Sequence, residues 1–149
     1  MRAVVQRVSE ARVLVNERVS GEIGKGMLVL LGIGKGDSLD DVEYLADRIA
    51  NLRIFPDNDG KMNIAPADAQ SEVLVVPQFT LYGDCHGGNR PSFTGAAAPE
   101  EARRLYLSFV QQINEYLPEA ATGEFGAMMD VQLNNWGPVT LLLDSDRTF

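Results

Sequence analysis

Two short stretches of this 149-residue chain put polar or reactive groups where a strand should end. The first is Val73-Leu74-Val75-Val76-Pro77-Gln78-Phe79-Thr80-Leu81. Its aliphatic run suits a strand buried on both faces, and proline then interrupts the ladder before an amide, an aromatic ring and a hydroxyl appear. Backbone N–H groups released from pairing there can point at a ligand. Donors from Phe79 and Thr80 would form an oxyanion hole, a device worth about 3 kcal/mol per donor. No histidine or lysine is obviously placed to activate Thr80, so its hydroxyl is expected to orient substrate or water. Such a site suits an already reactive ester and is too weak for an amide. The same residues also fit an ordinary strand end with a core aromatic, and chemistry alone leaves both readings open. The second stretch is Asn134-Asn135-Trp136-Gly137-Pro138-Val139-Thr140. Its Gly-Pro pair is equally compatible with a rigid turn between strands, and only about 5–6% of X–Pro bonds in folded proteins are cis.

Other chemistry is poorly supported. His86 is the only histidine and follows Cys85 directly. Adjacent side chains in extended chain point to opposite faces, so a thiol hydrolase built on this pair would need an unusual bend. With no second histidine, a Ser-His-Asp triad and a His-based zinc site are both disfavoured. The glycines of Gly32-Ile33-Gly34-Lys35-Gly36 complete neither the Walker spacing nor the dinucleotide fingerprint, and turn chemistry explains them. Asp57-Asn58-Asp59-Gly60-Lys61 has lysine where a calcium loop needs an acid or amide. No metal ion or cofactor is expected.

The elements that must hold these stretches read as one α+β domain over residues 1–149. Arg2–Val8 and Ala11–Val15 are expected as two strands joined tightly at Ser9-Glu10, with a turn at Asn16-Glu17 and a short strand from Val19 to Ile23. Met27–Leu31 reads as a second doubly buried strand. Ser38 to Asp41 resembles a capping box, and Leu39, Val42, Leu45, Ala46, Ile49 and Leu52 follow at helical spacing. Arg53–Pro56 and Met62–Ile64 are further strand candidates. Tyr82–Ala98 is glycine-rich and is expected to be a mobile loop carrying function. Pro99 suits the first turn of a helix whose apolar stripe runs through Ala102, Leu105, Tyr106, Phe109, Val110, Ile113 and Leu117. Met128–Leu133 and Val139–Leu143 are the last strands, and Asp144–Phe149 reads as a polar tail. Roughly eight strands and two main helices imply barrel-like layers of curved mixed sheet covered by the helices.

Composition bounds the partners. A net charge of -8 argues against coating nucleic acid through phosphate neutralisation, although a small basic rim of Arg7, Arg12 and Arg90 could meet one RNA end. The lone Cys85 and the absence of a signal-peptide layout or long apolar run suggest a cytoplasmic protein with no membrane partner.

Taken together, the two stretches are more specific than either alone. Pro77-Gln78-Phe79-Thr80-Leu81 resembles the Ser-Gln-Phe-Thr-Leu motif of the D-aminoacyl-tRNA deacylases, and Asn135-Trp136-Gly137-Pro138-Val139-Thr140 resembles their Asn-x-Gly-Pro-Val-Thr motif. Supporting matches span the chain, among them Gln6-Arg7-Val8, Gly60-Lys61-Met62-Asn63, Arg90-Pro91-Ser92-Phe93 and Thr122-Gly123-x-Phe125-Gly126-Ala127-x-Met129. The resemblance implies a homodimeric hydrolase that cleaves the ester joining a D-amino acid to the 3′ end of tRNA. It also implies action on glycine mischarged on tRNA(Ala), and no role for DNA. By the same resemblance, Gln78, Phe79 and Thr80 hold the scissile ester. A cis Gly137–Pro138 pair enters the neighbouring subunit's pocket and excludes L side chains. Arg7 braces that loop, and Phe93 and Met129 line the adenosine and aminoacyl pocket. The tRNA's 2′-hydroxyl assists the attack in place of a protein base. Two positions depart from the family. Pro77 replaces a serine, as in a related animal branch that holds Gly-Pro trans, so the sequence leaves the isomer open. Trp136 stands where smaller or acidic residues are common. A non-catalytic module that binds tRNA on the same fold is the alternative.

Overall fold

The alternation of apolar residues dictates a curled sheet with two different faces. A computed structural model describes residues 1–148. The strands are β1 (Arg2–Val15), β2 (Arg18–Ile23), β3 (Gly26–Gly32), β4 (Phe55–Pro56), β5 (Met62–Ile64), β6 (Glu72–Pro77), β7 (Ala121–Thr122) and β8 (Asp130–Asp144). Helix α1 spans Leu39–Ala50 and α2 spans Pro99–Ile113. The main sheet runs β2-β1-β3-β6-β7, with β3, β6 and β7 parallel and β8 antiparallel along the other edge of β1. A Cβ on Gly21 would lie 2.4 Å from the Thr122 carbonyl oxygen, so β2 and β7 approach closely and nearly close the sheet into a barrel.

The apolar runs at Met27–Leu31 and Val73–Val76 are buried on both sides, as expected. Met27, Val29, Leu31, Val73 and Val75 face the helices, where they join Leu45, Ile49, Leu105 and Phe109. Leu28, Leu74 and Val76 face the barrel interior with Val13, Val15 and Ile23. Each strand of this kind therefore has no polar face to show. Ser38 caps α1 as its sequence suggests, donating its backbone N–H to Asp41 Oδ2 at 2.7 Å.

Four sequence expectations are corrected. β1 is one continuous strand, and Ser9-Glu10 is a bulge instead of a turn. Before the bulge, odd residues Ala3 and Val5 face the helices; after it, Ala11, Val13 and Val15 face the barrel. An inserted residue flips side-chain parity, and this breaks the alternation just as a turn would. β8 is likewise continuous through the Gly-Pro pair. The Tyr82–Ala98 segment is tied down, with Asp84 and Ser92 exchanging backbone bonds at 2.7 and 2.8 Å and Ala97 donating to the Ile33 carbonyl at 3.0 Å. The tail expected from Asp144 begins one residue later, since Asp144 ends β8 and is buried; Phe149 lies outside the described residues. No helix is long and apolar enough to cross a membrane among the described residues.

Candidate active site

Strand β6 ends where its sequence says it should, but the ending is a sharp helical turn. Gln78 still donates its N–H to the Leu31 carbonyl at 2.7 Å. Residues Phe79–Tyr82 then form one 3-10 turn. The first N–H groups of any such turn have no acceptor within it, which leaves the Phe79 and Thr80 donors for a ligand. The Gln78 side-chain amide donates to the Thr80 hydroxyl oxygen, so the hydroxyl proton is free to point elsewhere.

This turn borders an apolar cavity of about 770 Å³. Phe79 and Phe93 meet edge to face at its rim, with ring centroids 5.1 Å apart and an interplanar angle of 73°. Met129 also lines the cavity, its sulfur accepting the Glu124 N–H at 3.4 Å. Five of the residues singled out from sequence, Gln78, Phe79, Thr80, Phe93 and Met129, therefore share one cavity. The remaining three lie elsewhere on the chain. Arg7, Gly137 and Pro138 belong to the β1–β8 ladder, where Gln6 pairs with Thr140 and Val8 with Asn135. Arg7 alone thus opposes Trp136, Gly137, Pro138 and Val139, which are extruded as a wide bulge. The Gly137–Pro138 bond is cis, which answers the question the sequence left open. Arg7 Nε donates to the Trp136 carbonyl at 2.9 Å and Nη1 donates to the Ile54 carbonyl at 2.6 Å. Its burial lowers its pKa from the usual arginine value and removes it from the basic rim expected on the surface.

Some contributors were missed by sequence reasoning. Arg2 donates from Nη1 to the Leu81 carbonyl at 3.0 Å and stacks over the Tyr82 ring at 4.6 Å, pinning the 3-10 turn from behind. A Cβ on Gly34 would lie 2.5 Å from the Tyr82 hydroxyl, so glycine there admits the ring. Burial raises the Tyr82 pKa. Tyr106 walls the cavity, donates its hydroxyl to the Val75 carbonyl at 2.9 Å and has its pKa raised by burial. Its place in the α2 stripe signals core packing, and nothing in that spacing marks a cavity wall. A second, smaller groove of about 320 Å³ lies at the β1 bulge, away from this corner. Its polar groups satisfy each other, Arg12 with Gln132 and Asn134 with Glu10.

Among the described residues, Tyr106 is the one titratable group that lines the cavity, and it does not stand ready as a base. Tyr106 stays neutral, and His86 and Cys85 are exposed outside the cavity lining. His86 Nδ1 lies 2.6 Å from Asp84 Oδ1, and the His86 backbone N–H, then its ring, hold the Asp84 carboxyl below its usual range. Cys85→Ser and His86→Ala are each expected to change kcat/KM by less than about twofold, with pH–rate profiles that superimpose on wild type. Loss of activity in either variant would restore a thiol or imidazole mechanism.

Comparison with known proteins converges on one family. A family model described as D-Tyr-tRNA(Tyr) deacylase matches residues 4–144. The chain is 57% identical over 150 residues to the D-aminoacyl-tRNA deacylase of Thermosipho melanesiensis, covering all of both chains. It is 56% identical to that of Thermotoga petrophila, again end to end. Among solved structures it is similar to the c-Myc DNA Unwinding Element Binding Protein, with a TM-score of 0.92, 41% identity and coverage of 97% of this chain and 98% of that one. A probable eukaryotic D-amino acid tRNA deacylase shares the fold at a TM-score of 0.77 and 17% identity, with 95% and 97% covered. With nearly its whole length matched, the chain belongs to the D-Tyr-tRNA(Tyr) deacylase family, hydrolases of the aminoacyl-tRNA ester bond.

Proposed function

We propose that this chain hydrolyses D-aminoacyl-tRNA to a free D-amino acid and tRNA, sparing the L ester. The observation that carries the proposal is a pair of free backbone donors, those of Phe79 and Thr80, at the rim of an apolar cavity without a protein base. The terminal adenosine lies between Phe93 and Met129, and the ester carbonyl accepts from the two N–H groups as negative charge develops on it. The Thr80 hydroxyl, its oxygen already accepting from Gln78, donates to the substrate. The tRNA's own 2′-hydroxyl takes the proton of the attacking water as it passes its own proton to the departing 3′-oxygen, since no side chain lining the cavity among the described residues is placed to act as a base. An aminoacyl ester is reactive enough for this modest assistance, and glycine mischarged on tRNA(Ala) meets the same requirements.

Stereochemical selection requires a second copy of the chain. Gly137 and Pro138 are exposed and do not line the cavity of their own subunit. Among the described residues, strand β8 pairs only with β1, leaving its outer edge free, and Leu142 and Met128 are exposed near it at 60% and 91%. A homodimer that covers these groups would bring each Gly-Pro bulge to the partner's Phe79, where its carbonyls bind the α-ammonium and exclude an L side chain. Activity in the cytoplasm and weak, salt-sensitive contact with the RNA end follow from this reading and from the net charge of -8, which also weighs against DNA as a ligand.

The test is release of D-tyrosine from D-Tyr-tRNA while L-Tyr-tRNA survives. Equal cleavage of both esters would refute it, and tRNA binding without turnover would instead select a non-catalytic module. Thr80→Ala is expected to lower the single-turnover rate by about tenfold and leave hydrolysis measurable, the loss of one neutral hydrogen bond in the transition state. A trapped acyl-threonine on the wild-type enzyme would make Thr80 a nucleophile and overturn this role.

A further inference from the structure

Trp136 is the sole tryptophan, and its ring is held against two cations. The Arg7 guanidinium carbon lies 4.4 Å from the ring centroid and Lys25 Nζ lies 4.7 Å from it. Arg7 is only 8% exposed, and no carboxylate lies within ion-pair distance of it among the described residues. A buried guanidinium without an anion needs another source of negative potential. Two carbonyls, those of Trp136 and Ile54, and the π face of the indole supply it. Trp136 thus grips one guanidinium with its carbonyl and its ring.

The contact also ties the bulge to the strand carrying the other motif. The Lys25 carbonyl accepts the Glu72 N–H at 3.2 Å, so Lys25 is anchored at the start of β6. Gly137 touches the same assembly, because a Cβ there would lie 2.9 Å from Arg7 Nη2. We infer that Trp136 is a positioning residue for stereochemical selection: its ring, seated on Arg7 and Lys25, sets the position from which Gly137 and Pro138 meet the substrate. This rests on the function proposed above. The indole carries no charge to compete for the substrate's ammonium, and it fixes the loop through flat contacts that a small side chain cannot make.

The test compares wild type, Trp136→Leu, Trp136→Phe and Lys25→Met on D-Tyr-tRNA and L-Tyr-tRNA, with thermal melting of each. Trp136→Leu keeps apolar bulk without a π face, and is expected to lower the D-to-L ratio of kcat/KM by about tenfold, mainly through faster L cleavage. Trp136→Phe restores most of the ratio. Lys25→Met lowers it by about threefold and shifts the emission of the single tryptophan. A ratio within about twofold of wild type in both Trp136→Leu and Lys25→Met would overturn the inference. Should Trp136→Leu fail to fold, Lys25→Met decides, and a ratio within about twofold of wild type in that variant overturns the inference. A wild-type enzyme that cleaves both esters equally would refute the proposed function itself, whereas a selective wild type with indifferent variants refutes only the role of Trp136.

Discussion

Replacing Gly137 by alanine is expected to cut hydrolysis of D-aminoacyl-tRNA by about 100-fold while the chain stays folded. Gly137 adopts φ +138°, a conformation that side chains rarely tolerate. An added Cβ would lie 2.8 Å from Val139 Cγ2, 2.9 Å from Arg7 Nη2 and 3.1 Å from the Val139 nitrogen. None of these neighbours can move independently, since Arg7 is held by two carbonyls and the Val139 N–H donates to Asn135 Oδ1 at 2.8 Å. The bulge itself must therefore shift. It is exposed and extruded from the ladder, so the displacement costs only about 1–3 kcal/mol of stability. A displacement near 1 Å at a group that positions the substrate is far more damaging to rate than to folding. Single-turnover kinetics on D- and L-Tyr-tRNA with a parallel thermal melt would check this. Wild-type rates on the D ester would remove the Gly-Pro bulge from the substrate's surroundings.

Arg7→Met tests the support beneath that bulge and should show in both stability and selectivity. Methionine fills much of the same space but cannot donate, so the Trp136 and Ile54 carbonyls lose the charged donor that joins them. Hydrogen bonds to charged groups contribute about 1.5–3 kcal/mol each. Removing a buried cation also removes its desolvation cost, which the lowered pKa of Arg7 registers, and this offsets part of the loss. The donors win because both carbonyls are left facing an apolar chain, and the net cost is about 2 kcal/mol, or a fall of about 4–8 °C in Tm. The D-to-L ratio of kcat/KM should fall by about tenfold as the bulge loosens. A variant as stable as wild type would mean that water satisfies both carbonyls, and an unchanged ratio would show that the loop needs no brace.

Much of the fold was legible in the residues because local patterns and long-range demands agree there. Doubly apolar runs at Met27–Leu31 and Val73–Val76 have a single solution, a strand between helices and barrel interior, and helical stripes at Leu39–Ile49 and Ala102–Ile113 need a sheet to cover. In the sequence, Ser9-Glu10 and the Gly-Pro pair look like breaks between strands, because a bulge and a turn disturb alternation in the same way. Only pairing with β8 keeps β1 continuous through the first, and only β1 keeps β8 continuous through the second.

By itself, the sequence determined the two motifs and the amide, ring and hydroxyl at the end of β6. These follow from residue type and neighbour order, which need no partner to be read. Tertiary structure decided that Phe93 and Met129 reach the same cavity as Phe79, that Tyr106 walls it, and that Arg7 is buried beneath the extruded Trp136–Val139 segment. Each of those facts is a contact between residues remote in the chain, set by strand register and sheet curvature, and no local pattern encodes them.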